Sequence, residues 1–135
     1  MKRPAQLILT ITDQCNHGCR MCYYHSSLNR RTKVMTLEEY QKLSDELDEL
    51  ELLLISGGEP FLRQDIAEVI QIFYRSNQTR SVFIPTNGST PDRIISTVSQ
   101  MLDLMPELQL TLMMSLEGLH EEHDAIHEQK DAFNS

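Results

Sequence analysis

The sequence contains no long uninterrupted apolar run, few glycines and prolines, and too few basic residues to offset its acidic ones. The amino-terminal stretch MKRPAQLILTITDQC is interrupted by threonines and then Asp13, which predicts neither a membrane helix nor a signal peptide. With only 5 Gly and 5 Pro but 40% hydrophobic residues, the chain is not expected to be disordered. The formal net charge of −8 argues against general nucleic-acid binding, which needs a basic face. We therefore expect a soluble cytoplasmic protein in which residues 1–135 form one domain, with neither nucleic acid nor membrane as a partner.

Cysteine is also scarce, and all three cysteines lie in the stretch DQCNHGCRMCYYH, at Cys15, Cys19 and Cys22. Cytoplasmic thiols stay reduced, so this cluster predicts a metal-binding or catalytic site rather than a disulfide. Three thiolates at C-x3-C-x2-C spacing can hold one metal centre and leave one of its positions open. An iron–sulfur cube with one iron free for a substrate or cofactor fits this pattern. The alternative is a structural Cys3His zinc site, with His17 or His25 as the fourth ligand.

Four apolar runs recur along the chain, at residues 5–12, 51–56, 81–86 and 108–115. Each is short, rich in aliphatic residues and followed by a segment of helical pattern. Their near-continuous apolar character predicts strands that are buried on both faces, as in a parallel sheet covered by helices.

The segments between these runs carry helix start signals. The signals are Thr36 with Glu39 as a capping box, Asp65, Thr90 before Pro91, and a weaker start near His120 for a helix reaching toward Phe133. Strands and helices that alternate in this way predict an α/β fold with parallel strands. Four β-α units are half of an eight-unit barrel, which needs roughly 200 residues or more. The predicted fold class is therefore a partial (β/α) barrel of about four units.

Small, polar or ligating residues follow each predicted strand, at the end where parallel sheets gather their functional groups. The cysteine loop follows the first strand, GGEP (57–60) the second, TNG (86–88) the third and SLEG (115–118) the fourth. Taken singly, each of the last three has an ordinary explanation as a turn. Two glycines beside Glu59 would also let a ligand approach the main chain and would suit an ammonium group. Four such ends on one rim predict a single site.

These four motifs, in this order and position, resemble the radical SAM superfamily, whose enzymes cleave S-adenosylmethionine with an iron–sulfur cluster. The stretch SLEGLHEEHDAIHE is similar to a pattern of the branch that contains sulfatase- and peptide-maturing enzymes and the molybdopterin-pathway member. The resemblance implies reductive cleavage to a 5′-deoxyadenosyl radical, which abstracts hydrogen from a substrate, a peptide by analogy. It also implies an electron donor such as flavodoxin or ferredoxin.

The resemblance further implies which residues bind each group. Cys15, Cys19 and Cys22 would hold a [4Fe–4S] cluster, and S-adenosylmethionine would chelate its fourth iron. The residues implied in S-adenosylmethionine binding are Met21 at the adenine, Gly57, Gly58 and Glu59 at the amino group, and Thr86, Asn87, Ser115 and Glu117 near the carboxylate or ribose. No side chain is assigned a catalytic role, because the cofactor supplies the chemistry.

Two further features have plainer interpretations. His120, His123 and His127 recur at helical spacing, which predicts a solvated helix face. The basic loop NRRTK (29–33) is predicted to be solvated, with docking of an acidic electron donor as the alternative. Besides the enzyme, two other hypotheses stay open: the Cys3His zinc-binding interaction module, and an inactive fragment truncated before the later barrel strands.

Overall fold

The computed structural model describes residues 5–30 and 33–134, which form a four-stranded sheet with an α-helix after each strand. The strands are β1 (Gln6–Thr12), β2 (Leu52–Gly57), β3 (Ser81–Thr86) and β4 (Gln109–Met114). The α-helices are α1 (Leu37–Asp45), α2 (Ile66–Ser76), α3 (Pro91–Leu104) and α4 (Glu121–His127). All four strands lie close to the predicted positions.

The strands are arranged in the order β1-β2-β3-β4, and each neighbouring pair is parallel. Sequential parallel strands joined by helices are the repeating unit of a (β/α) barrel, and four such units make half of one. The predicted fold class is confirmed.

Burial alternates along the strands, so the expectation that they are buried on both faces is wrong for the described residues. In β1, Leu9 and Ile11 are buried while Ile8 between them is 68% exposed. In β3, Val82 and Ile84 are fully buried and their neighbours are only partly covered. The physical reason is that the helices pack on one face of the sheet only, where they complete the hydrophobic core.

The amino-terminal ends of the helices show which start signals act as predicted. At α1 the capping box is confirmed: the Glu39 N–H donates to Thr36 Oγ1 at 3.2 Å, and the Thr36 N–H donates to Glu39 Oε2 at 2.8 Å. Pro91 is the first residue of α3, as expected, but the Thr90 side chain makes no capping hydrogen bond. The fixed backbone angle of proline therefore starts this helix without help from the hydroxyl.

Helix α4 is shorter than the sequence pattern predicts. It ends at His127, because Glu128 adopts a left-handed conformation with φ of 50°. Phe133 lies beyond it in a separate 3-10 turn, where its N–H donates to the Asp124 carboxylate at 2.9 Å. The chain thus folds back onto α4 instead of prolonging it.

The basic loop predicted at residues 29–33 is described only in part, since residues 31 and 32 lie outside the described residues. Asn29 and Arg30 are exposed. Among residues 5–30 and 33–134, no helix is both long enough and apolar enough to cross a membrane.

Candidate functional site

The carboxyl ends of all four strands open onto one cavity of about 230 Å³. Because the strands are parallel and sequential, the loops that follow them lie side by side on one edge of the sheet. All eleven residues singled out from the sequence line this cavity: Cys15, Cys19, Met21, Cys22, Gly57, Gly58, Glu59, Thr86, Asn87, Ser115 and Glu117. His17, Leu28, Pro85 and His127 complete the lining.

The three cysteines are free thiols and each is partly buried. Burial raises the pKa of both Cys15 and Cys19, and negative charge nearby adds to the shift, from Glu59 and Cys22 at Cys15 and from the other two cysteines at Cys19. Thiols whose pKa is raised in this way form a poor site for isolated thiolate anions. They form a good site for a cationic metal centre, whose charge stabilises the thiolates. The donor set therefore fits an iron–sulfur cluster bound by three cysteines.

The Asn29 side chain binds the backbone at the start of the cysteine loop. Its Oδ1 accepts from the Cys15 N–H at 3.0 Å, and its Nδ2 donates to the Cys15 carbonyl at 2.9 Å. Asn29 itself has a positive φ of 56°, a conformation that asparagine tolerates well. The sequence gives one signal for this contact, an asparagine in a turn, but no indication of its partner.

The two glycines after β2 let the cysteine loop approach the main chain closely. A Cβ at Gly57, where φ is +128°, would lie 2.3 Å from the Thr12 carbonyl oxygen, and one at Gly58 would lie 2.1 Å from that of Gln14. The Gly58 N–H donates to Thr12 at 2.9 Å, and the Glu59 N–H donates to Gln14 at 2.8 Å. The close approach predicted for a ligand is thus made in part by the protein's own backbone.

Glu59 is a buried carboxylate, 2% exposed, held by donors from two loops. Its Oε1 accepts from Thr86 Oγ1 at 2.9 Å and from the Phe61 N–H at 3.1 Å, while Oε2 accepts from the Asn87 N–H at 2.7 Å. Burial raises the pKa of Glu59, and these three hydrogen bonds oppose the shift. An ionised carboxylate has about four acceptor positions, so roughly one remains for a further donor.

The remaining residues from β3 and β4 are arranged around this carboxylate. Thr86 is buried, and its hydroxyl also accepts from the Gly88 N–H at 3.2 Å. Asn87 Nδ2 donates to Asn16 Oδ1 at 2.9 Å, which ties this loop to the cysteine loop. The Ser115 N–H donates to the Thr86 carbonyl at 3.0 Å and extends the parallel pairing of β3 and β4 toward the cavity.

The end of α4 is attached to the cysteine loop by backbone hydrogen bonds. The Gly18 N–H donates to the His127 carbonyl and the Arg20 N–H donates to the Ile126 carbonyl, both at 3.1 Å. An exposed ion pair between Arg20 and Glu128 at 3.1 Å lies beside them. The segment carrying His127 is therefore part of the wall that supports the cysteines.

Two histidines of α4 are buried, so the predicted solvated histidine face is wrong for His123 and His127, which are 3% and 1% exposed. His127 Nδ1 lies 2.9 Å from His17 Nδ1 and 3.3 Å from Cys19 Sγ. Burial lowers the pKa of both His17 and His127, which favours the neutral form of the imidazoles. Helical spacing alone does not show which surface a face packs on, so sequence reasoning missed this contact.

The two candidate fourth ligands of a Cys3His zinc site differ in position. His17 is buried at the cavity wall, whereas His25 is exposed and its Nδ1 lies 3.2 Å from the Cys19 carbonyl oxygen. Of the two, only His17 lines the cavity that the cysteines share.

Comparison with known proteins identifies the family. The model of the Radical SAM superfamily matches residues 9–134. The chain is 31% identical over 137 residues to Fe-coproporphyrin III synthase of Methanosarcina barkeri, covering 99% of the chain and 32% of that protein. It is 22% identical over 138 residues to human molybdenum cofactor biosynthesis protein 1, covering 93% of the chain and 22% of that protein.

A third relative supports the same assignment. The chain is 30% identical over 95 residues to GTP 3′,8-cyclase of Aquifex aeolicus, covering 65% of the chain and 29% of that protein. The chain thus spans less than a third of the length of these three relatives. Members of the matched family bind a [4Fe–4S] cluster and S-adenosylmethionine. On the family match and the Methanosarcina relative together, the chain belongs to the radical SAM superfamily.

Proposed function

We propose that the cavity binds a [4Fe–4S] cluster through Cys15, Cys19 and Cys22, with S-adenosylmethionine at the remaining iron. The observation that carries the proposal is that three free thiols and the ends of four parallel strands line one cavity. When bound and reduced, the cluster supplies one electron that breaks the sulfonium C5′–S bond, giving methionine and a 5′-deoxyadenosyl radical. Residues 1–135 would then be the amino-terminal, cofactor-binding part of a radical SAM barrel.

Glu59 is the residue that we assign to the methionyl ammonium group. It presents a desolvated carboxylate at the cavity wall, and a charge-assisted hydrogen bond in such surroundings is stronger than one in water. Thr86 and Asn87 act through it: their donors already bind the carboxylate and hold its orientation. Gly57 and Gly58 place this carboxylate against the cysteine loop.

The adenosine would extend from this point across the rest of the cavity. Ser115 and Glu117, after β4, are within the lining and offer a hydroxyl and a carboxylate for the ribose. Met21 is 57% exposed, which leaves its flexible thioether free to cover the adenine. Covering the adenosine would exclude water from the reacting bond, which protects a radical from side reactions.

Hydrogen abstraction from a substrate is the reaction that we propose for the complete protein. A peptide substrate is supported only by the resemblance of residues 115–128 to the maturase pattern, while the names of two relatives refer to a coproporphyrin and to GTP. A protein electron donor such as flavodoxin or ferredoxin would supply the electron. Deuterium transfer from a labelled candidate substrate into 5′-deoxyadenosine would identify the substrate class.

Anaerobic reconstitution with iron and sulfide tests the cofactor assignment. The reduced wild-type chain should contain about four irons and show a [4Fe–4S] spin-resonance signal that changes on addition of S-adenosylmethionine. Cys15→Ala, Cys19→Ala and Cys22→Ala should each abolish the signal. About one zinc per chain with no cluster signal would instead support the zinc-binding module. A cluster that forms but leaves S-adenosylmethionine uncleaved under reducing conditions would identify this chain as an inactive portion.

A further inference from the structure

Three metal-ligating side chains converge where the cysteine loop meets α4. Potential ligand atoms of His17, Cys19 and His127 all lie within 4.8 Å of one another. Two of the separations are shorter: 2.9 Å between the two histidine Nδ1 atoms and 3.3 Å from His127 Nδ1 to Cys19 Sγ. This group overlaps the three-cysteine set at Cys19 alone.

Two of the three separations are close to those of a tetrahedral zinc site. With Zn–N of about 2.05 Å and Zn–S of about 2.3 Å, two nitrogens lie roughly 3.3 Å apart, and nitrogen and sulfur roughly 3.6 Å. The two observed distances to His127 Nδ1 are 2.9 and 3.3 Å, so shifts of roughly 0.3–0.4 Å would bring this pair of separations to zinc geometry, while the ligand atoms of His17 and Cys19 lie within 4.8 Å of each other. Two imidazoles and one thiolate are a ligand set that suits Zn²⁺, with the fourth position left for water.

The protein fixes the positions of these side chains through its backbone. Hydrogen bonds from Gly18 and Arg20 to the last residues of α4 place His127 beside the cysteine loop. His17 and His127 are 4% and 1% exposed, so neither is free to leave for solvent at low cost. His127 Nε2 is buried and has no hydrogen-bond partner among the described residues. The polar contacts of this ring are therefore those at Nδ1, with His17 and Cys19.

We propose that the cluster-free chain binds one Zn²⁺ ion through His17, Cys19 and His127. The Cys19 thiolate cannot bind zinc and the cluster at the same time, so the zinc-bound and cluster-bound forms exclude each other. This second statement rests on the proposed function, whereas the zinc site does not.

Metal titration of the cluster-free chain under anaerobic conditions tests the site, with Co²⁺ as a spectroscopic probe and Zn²⁺ as competitor. The decisive variant is the double substitution Cys15→Ala with Cys22→Ala, which removes any three-cysteine site. It should keep the affinity for Zn²⁺ and the absorption of tetrahedral cobalt bound to a thiolate. Cys19→Ala should lose both.

Histidine substitutions distinguish this site from a zinc site that uses His25. His17→Ala and His127→Ala should each weaken Zn²⁺ binding at least about 100-fold, since even outer-shell partners of a metal contribute 10–100-fold. His25→Ala should leave the affinity unchanged, because that exposed side chain is not part of the group. If circular dichroism shows that His127→Ala unfolds α4, His17→Ala in the loop carries the same prediction.

Loss of metal from the Cys15/Cys22 double variant would overturn the proposal, as would full affinity in His17→Ala. Cluster reconstitution is measured separately, with and without zinc: a zinc concentration that inhibits the wild type should inhibit His17→Ala far less, each chain being compared with itself in the absence of zinc. A chain that binds zinc as proposed but never forms a cluster would contradict the proposed function and leave the zinc site standing.

Discussion

Gly58 has less room than any other glycine of the site. Its substitution by alanine would place a Cβ 2.1 Å from the Gln14 carbonyl oxygen, a backbone atom that cannot turn away. We expect Gly58→Ala to lower the free energy of unfolding by about 2–3 kcal/mol, as overpacking does elsewhere. The measurement is urea unfolding of the cluster-free chain, followed by far-UV circular dichroism.

Gly18→Ala is the matched control in the same region. A Cβ there would meet Glu128 Oε2 at 3.4 Å, which is an ordinary contact with the end of a flexible side chain. The control should change the unfolding free energy by less than about 1 kcal/mol. Equal losses in the two variants would show that the approach of Gln14 does not limit the size of residue 58.

The Glu59 carboxylate is expected to set the affinity for S-adenosylmethionine. Glu59→Gln removes its charge, and a hydrogen bond to a charged group contributes about 1.5–3 kcal/mol. Binding to the reconstituted chain, followed by the change in the spin-resonance signal, should weaken about tenfold or more. Glu68→Gln, exposed on α2, is the control and should leave affinity unchanged. Unchanged binding in Glu59→Gln would contradict the assignment of its role.

Among the secondary-structure elements, the turn between β2 and α2 depends on a buried arginine. The Arg63 guanidinium donates to the Ile11 carbonyl at 2.7 Å and the Met35 carbonyl at 2.8 Å, and it pairs with Asp65 at 2.6 Å. One side chain thus connects the end of β1, the segment before α1 and the start of α2. Asp65 supports α2 through this arginine and not by capping the helix itself.

Arg63→Met is expected to destabilise the chain by about 3 kcal/mol, because it leaves two carbonyls and a carboxylate without their donor. Urea unfolding at pH 7 measures the loss. Arg75→Met, exposed in the last turn of α2, should cost little. If Arg63→Met lowers the free energy of unfolding no more than Arg75→Met does, water replaces the guanidinium without cost.

The same pair predicts a pH dependence with a defined sign. Hydrogen bonding to Arg63 holds the pKa of Asp65 below its ordinary value. Its stabilising contribution is therefore present above the pKa of the unfolded chain, about 3.9, and is lost as pH falls through the lower folded pKa. The difference in unfolding free energy between wild type and Asp65→Asn should shrink as pH falls below about 4. A difference that stays constant over that range would contradict the coupling.

The elements differ in how far the sequence predicts them. Strand positions, the capping box of α1 and the rim of polar residues follow from local patterns, because hydrophobic burial and backbone capping act over a few residues. The burial of His127 does not follow, because its partners His17 and Cys19 are 110 and 108 residues away. Likewise, the pair Gly57-Gly58 indicates a close approach but not that Thr12 and Gln14 make it.

For the molecule as a whole, charge should govern how an electron donor associates. The net charge is −8, so an acidic donor is repelled at long range and attracted only near basic residues such as Arg30. If docking uses the basic loop, reduction of the cluster by flavodoxin should slow as salt rises from about 0.05 to 0.3 M, where the Debye length falls below about 10 Å.

Arg30→Glu should slow this reduction at low salt, while Arg75→Glu on α2 serves as the control for a change in net charge. Stopped-flow absorbance of the cluster measures both rates. Reduction that accelerates with salt in the wild type would show that the overall negative charge, and not the loop, dominates the encounter.

The attachment of the cysteine loop to α4 has a consequence for the newly made protein. Cys19 and its partner His127 are separated by 108 residues. At synthesis rates of roughly 5–20 residues per second, Cys19 leaves the ribosome about 5–20 s before His127 does. During that interval the three thiols exist without the His127 imidazole that later lies beside Cys19. Iron and sulfide supplied during synthesis would therefore meet the cysteines before the proposed zinc site, which needs His127, is complete.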